Sequence, residues 1–166
     1  MRSDFKVSVS KDYLVFSSAH FITFRGHQCE TLHGHNYRVG VSVEGTVDAE
    51  CLFVVDFSIL KKLVRKLVDE IDHKVLLPVK NPKLGFRDVG SHREVDYFGE
   101  HTYTFPKVDC AMVPIENTTA EMLAQYFAHL LRDELKALGI SNLTLIEMEV
   151  EESFGQSATY RLSLVE

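Results

Sequence analysis

Apolar and polar residues alternate in four stretches of the chain and recur at helical spacing in two. Phe5, Val7 and Val9 alternate with Lys6, Ser8 and Ser10, and after a bend near Asp12 the run Tyr13-Leu14-Val15-Phe16 resumes a first strand that stops at about His20. Tyr37, Val39, Val41 and Val43 alternate with Arg38, Ser42 and Glu44 in a second strand ending near Gly45. The last two strands follow the same rule. Ile146, Met148 and Val150 face away from Glu147, Glu149 and Glu151, and Tyr160, Leu162 and Leu164 alternate with Thr159, Arg161 and Ser163.

Between these pairs lie two amphipathic helices. Asp56 stands at an N-cap position before Phe57, Leu60, Leu63, Val64, Leu67, Val68 and Ile71, with Lys61, Lys62, Arg65 and Lys66 on the solvated side. Thr118-Thr119-Ala120-Glu121 reads as a capping box for a helix carrying Met122, Leu123, Tyr126, Phe127, Leu130, Leu131 and Leu135, closed by Gly139. From Pro78 to Pro114 the pattern is irregular and broken by Gly85, Gly90 and Gly99, with a hairpin expected at Gly99. The order predicts one α+β domain over residues 1–166: a four-stranded antiparallel sheet, two helices on one face, and an inserted segment at about 78–114.

Composition narrows the class of protein. The 166 residues are 45% hydrophobic and 25% charged with a net charge of -6, which fits a soluble globular chain and gives no support for nucleic-acid binding. No run approaches the eighteen or so apolar residues of a membrane span, and Met1-Arg2-Ser3-Asp4 lacks a signal peptide's apolar segment, so the expected location is cytoplasmic. Cys29, Cys51 and Cys110 are an odd count without framework spacing, which argues against a disulfide scaffold. Cys51 and Cys110 read as packing residues.

The chemistry concentrates at Cys29-Glu30-Thr31-Leu32-His33-Gly34-His35-Asn36-Tyr37. If the second strand's register extends back through this motif, His33 and His35 project from the same face as Tyr37, about 7 Å apart along the strand. His20 can supply a third nitrogen from the end of the first strand. Three neutral imidazoles with an open position make a catalytic Zn²⁺ site, whereas structural zinc sites are closed by four ligands. The HxH pair by itself equally describes core-edge histidines with hydrogen-bonded rings. A cupin site is set aside, because the first acid after the pair is Glu44 rather than a glutamate five residues on.

Glu152 breaks the apolar row of its strand. A carboxylate there needs a partner to offset desolvation, or else turns to water at a frayed strand end. A ligand with two N–H donors side by side would satisfy it in a bidentate manner. Asp72-His73 at the end of the first helix is, in isolation, an ordinary helix-end pair.

The run Gly26 to Tyr37, with Phe16-Ser17-Ser18-Ala19-His20 before it, resembles the 6-pyruvoyl-tetrahydropterin synthase family, which includes the bacterial 6-carboxy-tetrahydropterin synthases. The resemblance covers most of residues 1–77 and 115–166. The four-residue step from Cys29 to His33 is similar to the bacterial branch. The resemblance implies the tunnelling fold, in which sheets of three subunits join into a barrel and two trimers stack as a homo-hexamer with active sites between subunits. Such closure also removes exposed sheet edges.

It further implies Zn²⁺ on His20, His33 and His35, proton transfer by Cys29, Asp72 and His73, and a pterin pocket involving Thr119, Glu121 and Glu152. The expected activity is that of a zinc-dependent lyase converting 7,8-dihydroneopterin triphosphate to 6-carboxy-5,6,7,8-tetrahydropterin, with loss of triphosphate and acetaldehyde. The alternatives are triphosphate elimination alone to the 6-pyruvoyl product, a non-catalytic zinc- or pterin-binding homologue, and a cyclohydrolase that uses Cys as a metal ligand. Some family members use a carboxylate near the thiol position for an aldolase-like cleavage of the side chain, and Glu30 directly follows Cys29. Arg25 and His27 are candidates for the phosphates.

Overall fold

A computed structural model describes residues 4–165. The strands and helices are β1 (Phe5–Val9), β2 (Val15–His20), β3 (His33–Gly45), α1 (Phe57–Asp69), β4 (Lys74–Pro78), β5 (Leu84–Val89), β6 (His92–Tyr97), β7 (Glu100–Pro106), β8 (Cys110–Val113), α2 (Ala120–Ala137), β9 (Leu143–Ser153) and β10 (Gln156–Ser163). β3, thirteen residues long, is the axis of the main sheet. Its first half pairs with β2 and its second half with β1, both antiparallel, so these two are one strand interrupted by a turn at Lys11–Tyr13. β9 lies along its other side and β10 beyond that.

The expected four-stranded antiparallel unit is therefore present, but the sheet is larger and mixed. β4 adds to β2 and β8 to β4, both parallel, giving seven strands in the order β10-β9-β3-β2-β4-β8, with β1 beside β3. These two additions were hidden in the sequence because they are only five and four residues long. Leu76 and Leu77 are both fully buried, so β4 has no polar face to mark it as a strand.

The segment between them is also more regular than expected. β5, β6 and β7 form a separate antiparallel sheet that turns at Gly90 and Gly99, both at positive φ. The Gly99 hairpin is as the sequence predicts, and β5 is an addition.

One face of the main sheet carries the core. Phe16, Tyr37, Val39, Val41, Val43, Ile146, Met148 and Val150 meet Leu60, Val64 and Leu67 of α1 and Leu123, Phe127 and Leu131 of α2. The cap of α1 is Asp56, which accepts from Ser58 N–H at 2.7 Å. For α2 the capping box is corrected by one residue: Thr119 is the N-cap and accepts from Met122 N–H. Thr118 is instead buried, and its hydroxyl donates to the Phe21 carbonyl. Gly45 is where β3 passes closest to another backbone. A Cβ there would lie 2.3 Å from the Asn142 carbonyl oxygen, at the irregularity that ends the β3–β9 ladder.

Candidate functional site

The site lies where the core face of β2 and β3 runs past the ends of the helices. His20 pairs across from His33, and Ser18 from His35. Strand parity then sets His20, His33, His35 and Tyr37 on one face. Their rings cluster edge to face, with His20 4.9 Å from His33 and 5.1 Å from His35 between centroids. The three imidazoles offer nitrogens that all lie within 4.8 Å of one another.

Their orientation is fixed from behind. His20 Nδ1 lies 2.9 Å from the Thr118 carbonyl and His33 Nδ1 lies 2.7 Å from the Thr31 carbonyl. With those nitrogens donating, both Nε2 atoms are left as acceptors facing inward. His20 is 1% exposed and its Nε2 is a buried atom with no hydrogen-bond partner among the described residues. His33 Nε2 and His35 Nε2 stand 2.9 Å apart. An orphaned buried lone pair beside two more converging nitrogens fits a bound cation, and the all-nitrogen donor set suits Zn²⁺. Burial pulls the His20 imidazole below its ordinary pKa, against the opposing effect of the Thr118 carbonyl. His20 therefore stays in the neutral form that a ligand requires.

Two carboxylates face the cluster. Glu152 on β9 places its oxygens 3.4 Å from His35 Nε2 and 3.9 Å from His20 Nε2. It also lines a cleft of about 330 Å³ with Ile22, Thr119, Glu121, Gln156 and Ser157, so the three substrate-binding candidates of the sequence share one cavity. Glu30 has one oxygen 3.7 Å from His33 Nε2 and accepts from Ile22 N–H with the other. The Tyr37 hydroxyl, buried and unpaired beneath these groups, is held protonated by burial and by Glu152 and Glu30. Parity placed Tyr37 on this face, but nothing in the sequence shows that its hydroxyl has no partner.

Cys29 and Glu30 sit on a tight loop of their own. Cys29 bridges to Thr23, Phe24 N–H donates to the Gln28 carbonyl, and Glu30 N–H donates to the Ile22 carbonyl. The two side chains diverge. Glu30 turns to the histidines, whereas Cys29 packs against a second apolar cluster around Phe21, Leu77 and Val95. Burial, and then the charge of Glu30, push the Cys29 thiol above its usual pKa. Of the other cysteines, Cys110 packs at this second cluster, but Cys51 is exposed in a turn and is not the packing residue expected.

Asp72 and His73 are placed apart from this loop. Asp72 accepts from Ser17 N–H at 2.8 Å and lies 2.9 Å from His73 Nδ1. Burial raises the Asp72 carboxyl, but the Ser17 N–H and His73 outweigh it and hold its pKa below the usual range. His73 has positive φ and an 81% exposed side chain. It shares a pocket of about 410 Å³ with Ser17, Ala19, Gly34, Asn36 and Lys74. Ser17, Ala19, Gly34 and Asn36 alternate with the residues bearing the histidines, and although Ser18 and His35 also line it, this pocket lies mainly on the other face of the sheet.

Comparison with known proteins identifies the family of the chain. Residues 8–163 match the family model described as 6-pyruvoyl tetrahydropterin synthase. A protein of Methanocaldococcus jannaschii, provisionally named a 6-carboxy-5,6,7,8-tetrahydropterin synthase, is 42% identical over 148 residues, covering 89% of this chain and 90% of its own. The crystal structure of 6-pyruvoyl tetrahydropterin synthase from Plasmodium vivax superposes with a TM-score of 0.90 at 32% identity, over 98% of this chain and 99% of that one. A second structure of that enzyme replaces with alanine a glutamate described as a catalytic residue, and superposes equally well.

Proposed function

The chain belongs to the 6-pyruvoyl tetrahydropterin synthase family, and from that premise we propose that it is a zinc-dependent lyase acting on 7,8-dihydroneopterin triphosphate. The product proposed is 6-carboxy-5,6,7,8-tetrahydropterin, formed with loss of triphosphate and acetaldehyde. The observation that carries this reading is the convergence of three imidazoles, whose outer nitrogens are tied to carbonyls at His20 and His33, with a carboxylate at the head of a 330 Å³ cleft.

His20, His33 and His35 would hold the metal. When bound, Zn²⁺ supplies Lewis acidity to the hydroxyls of the substrate's side chain. Glu152 accepts the amino group and ring N–H of the pterin, which seats the ring in the cleft with Thr119 and Glu121 and points its side chain at the histidines. Cys29, as thiolate, takes the proton from the carbon next to the ring. Its raised pKa means that the loop must supply a donor to the thiolate or exclude water only once substrate is in place.

His73, oriented by the anionic Asp72, moves protons as general acid and base. Because this pair opens towards the opposite sheet face, it would serve the cleft of a neighbouring copy. That is the physical case for a homo-hexamer with sites between subunits.

A second reading is favoured by one specific observation. Glu30, not Cys29, faces the histidines, and a glutamate is described as catalytic in the Plasmodium vivax enzyme. With Glu30 as base, the same substrate would undergo an aldolase-like cleavage of its side chain. Anaerobic incubation of zinc-loaded protein with 7,8-dihydroneopterin triphosphate, followed by mass spectrometry, separates these outcomes. Under the first reading Cys29→Ala abolishes the 6-carboxy product while zinc stays bound, and Glu30→Gln leaves it. The reverse pattern would transfer the base to Glu30, and unchanged substrate with both residues intact would overturn the enzymatic assignment.

A further inference from the structure

The inserted sheet is attached to the loop that carries Cys29, and the attachment is built from four separate contacts. Asn81, 4% exposed, donates through Nδ2 to Thr23 Oγ1 at 2.9 Å. Lys83 Nζ donates to the Gly26 carbonyl at 2.7 Å and also reaches the Phe24 carbonyl. Phe98 lies tilted against His27 with ring centroids 3.9 Å apart. Val95 is fully buried in the apolar cluster against which Cys29 packs.

Tyr97 follows Val95 by two residues on β6, so both side chains leave the same face of the inserted sheet. Its hydroxyl is sealed from solvent and has no hydrogen-bond partner among the described residues. A buried hydroxyl left unpaired costs about 1–3 kcal/mol, which a partner gained in another state of the site would recover. Cys29 belongs to the apolar cluster that Val95 enters from this face, and Leu84, the residue paired with Tyr97 across the sheet, belongs to it too. Burial, and secondarily Cys29, push the Tyr97 phenol above its ordinary pKa.

We propose that the inserted sheet positions the Cys29 loop, and that Tyr97 is a positioning residue whose O–H donates to the Cys29 sulfur when that sulfur is a thiolate. No bond to carbon is made or broken by Tyr97. It holds its own proton, and the lone pair on sulfur remains the base that takes the substrate proton. The insert thereby offsets part of what burial and Glu30 impose on the thiol. The groups whose charge or proton bears on Cys29 are Glu30 from its own loop and Tyr97 from β6, and Tyr103 and Cys110 are the other titratable members of the surrounding cluster.

The proposal rests on Cys29 being a functional thiolate, and its test reads the thiol rather than turnover. Zinc-loaded protein and its Tyr97→Phe variant are treated with iodoacetamide across a pH series, and alkylation of Cys29 is followed by peptide mass spectrometry. Loss of one charge-assisted hydrogen bond is expected to raise the apparent pKa of Cys29 by about one unit, which lowers its alkylation rate below that pKa by about tenfold. An unchanged pKa overturns the role of Tyr97, whatever the activity. Normal turnover by Cys29→Ala would instead overturn the reading of Cys29 as base and leave the thiol titration standing.

The grip on the loop is tested separately. Lys83→Met is expected to speed native tryptic cleavage after the exposed Arg25 severalfold. An unchanged rate overturns the positioning role of the insert.

Discussion

His20 and His33 are expected to fail in different ways when each is replaced by alanine. Both would contribute one nitrogen to the same metal, but only His20 is buried, with Nδ1 bound to the Thr118 carbonyl just ahead of the N-cap of α2. Removing it leaves that carbonyl without its partner and opens a void beside Tyr37. The unpaired carbonyl alone costs about 1–3 kcal/mol. For a chain of this length that lowers the melting temperature by a few degrees up to about ten. The His33 side chain is 35% exposed and its carbonyl partner, Thr31, can turn to water, so His33→Ala should leave the metal-free protein within about 0.5 kcal/mol of the parent.

Zinc at a hundredfold excess over its dissociation constant stabilises the parent by about 2.7 kcal/mol. That increment is expected to vanish in both variants. Thermal unfolding of chelator-treated and zinc-loaded samples, with metal content by mass spectrometry, measures all of these quantities. A His33→Ala protein that still carries one equivalent of zinc and keeps its full thermal increment would refute the three-histidine site. A metal-free His20→Ala protein as stable as the parent would refute the role given to the Thr118 contact.

Three further outcomes follow from the same geometry. Glu152→Gln keeps the shape of the cleft but loses the anionic acceptor, so KM for the pterin substrate is expected to rise tenfold or more, by titration of initial rates, with zinc content unchanged. Asp72 has a folded pKa below its unfolded value near 3.9, so its contribution to stability is complete above about pH 5 and lost as pH falls through the folded value. Asp72→Asn should therefore flatten the acid limb of a pH series of chemical denaturation, and an unchanged limb would count against the Ser17 and His73 contacts. If His73 serves a neighbouring copy, light scattering should give six times 18.9 kDa, about 113 kDa. Co-expressed Cys29→Ala and His73→Ala chains, each inactive alone, should then recover about a quarter of parental activity by random assortment. No recovery would place the whole site in one chain.

Much of this site is legible in the chain because it obeys strand parity. His33, His35 and Tyr37 share a face by their spacing alone, and Glu152 stands out as the polar residue in an apolar row. The helices are equally readable, since Asp56 and Gly139 mark their ends with specific side-chain and backbone chemistry. What parity cannot supply is contact across the chain. The carbonyl that orients His20 comes from Thr118, ninety-eight residues away. The parallel strands β4 and β8 pair only through residues distant in sequence, and the capping threonine is Thr119 because Thr118 is committed to Phe21. The opposite orientations of Cys29 and Glu30 follow from the fold of their loop, where alternation no longer sets direction by itself.

The division of labour between the two faces of the main sheet gives the arrangement its logic. The face under the helices is dry, and there an imidazole can stay neutral and a carboxylate at its margin can act strongly on what it meets. The opposite face bears Ser17, Asn36, Arg38, Ser42, Glu147 and Arg161, knit by contacts such as Ser42 to Glu147 and Arg161 to Glu147. No described helix packs on that side. A polar sheet face with open outer strands at β10 and β8 is stable only if those edges stay short or are paired by other chains. The same sheet therefore fixes the chemistry on one side and, on the proposed reading, the assembly on the other. On that reading Asp72 and His73, just ahead of β4, are the residues shared between copies.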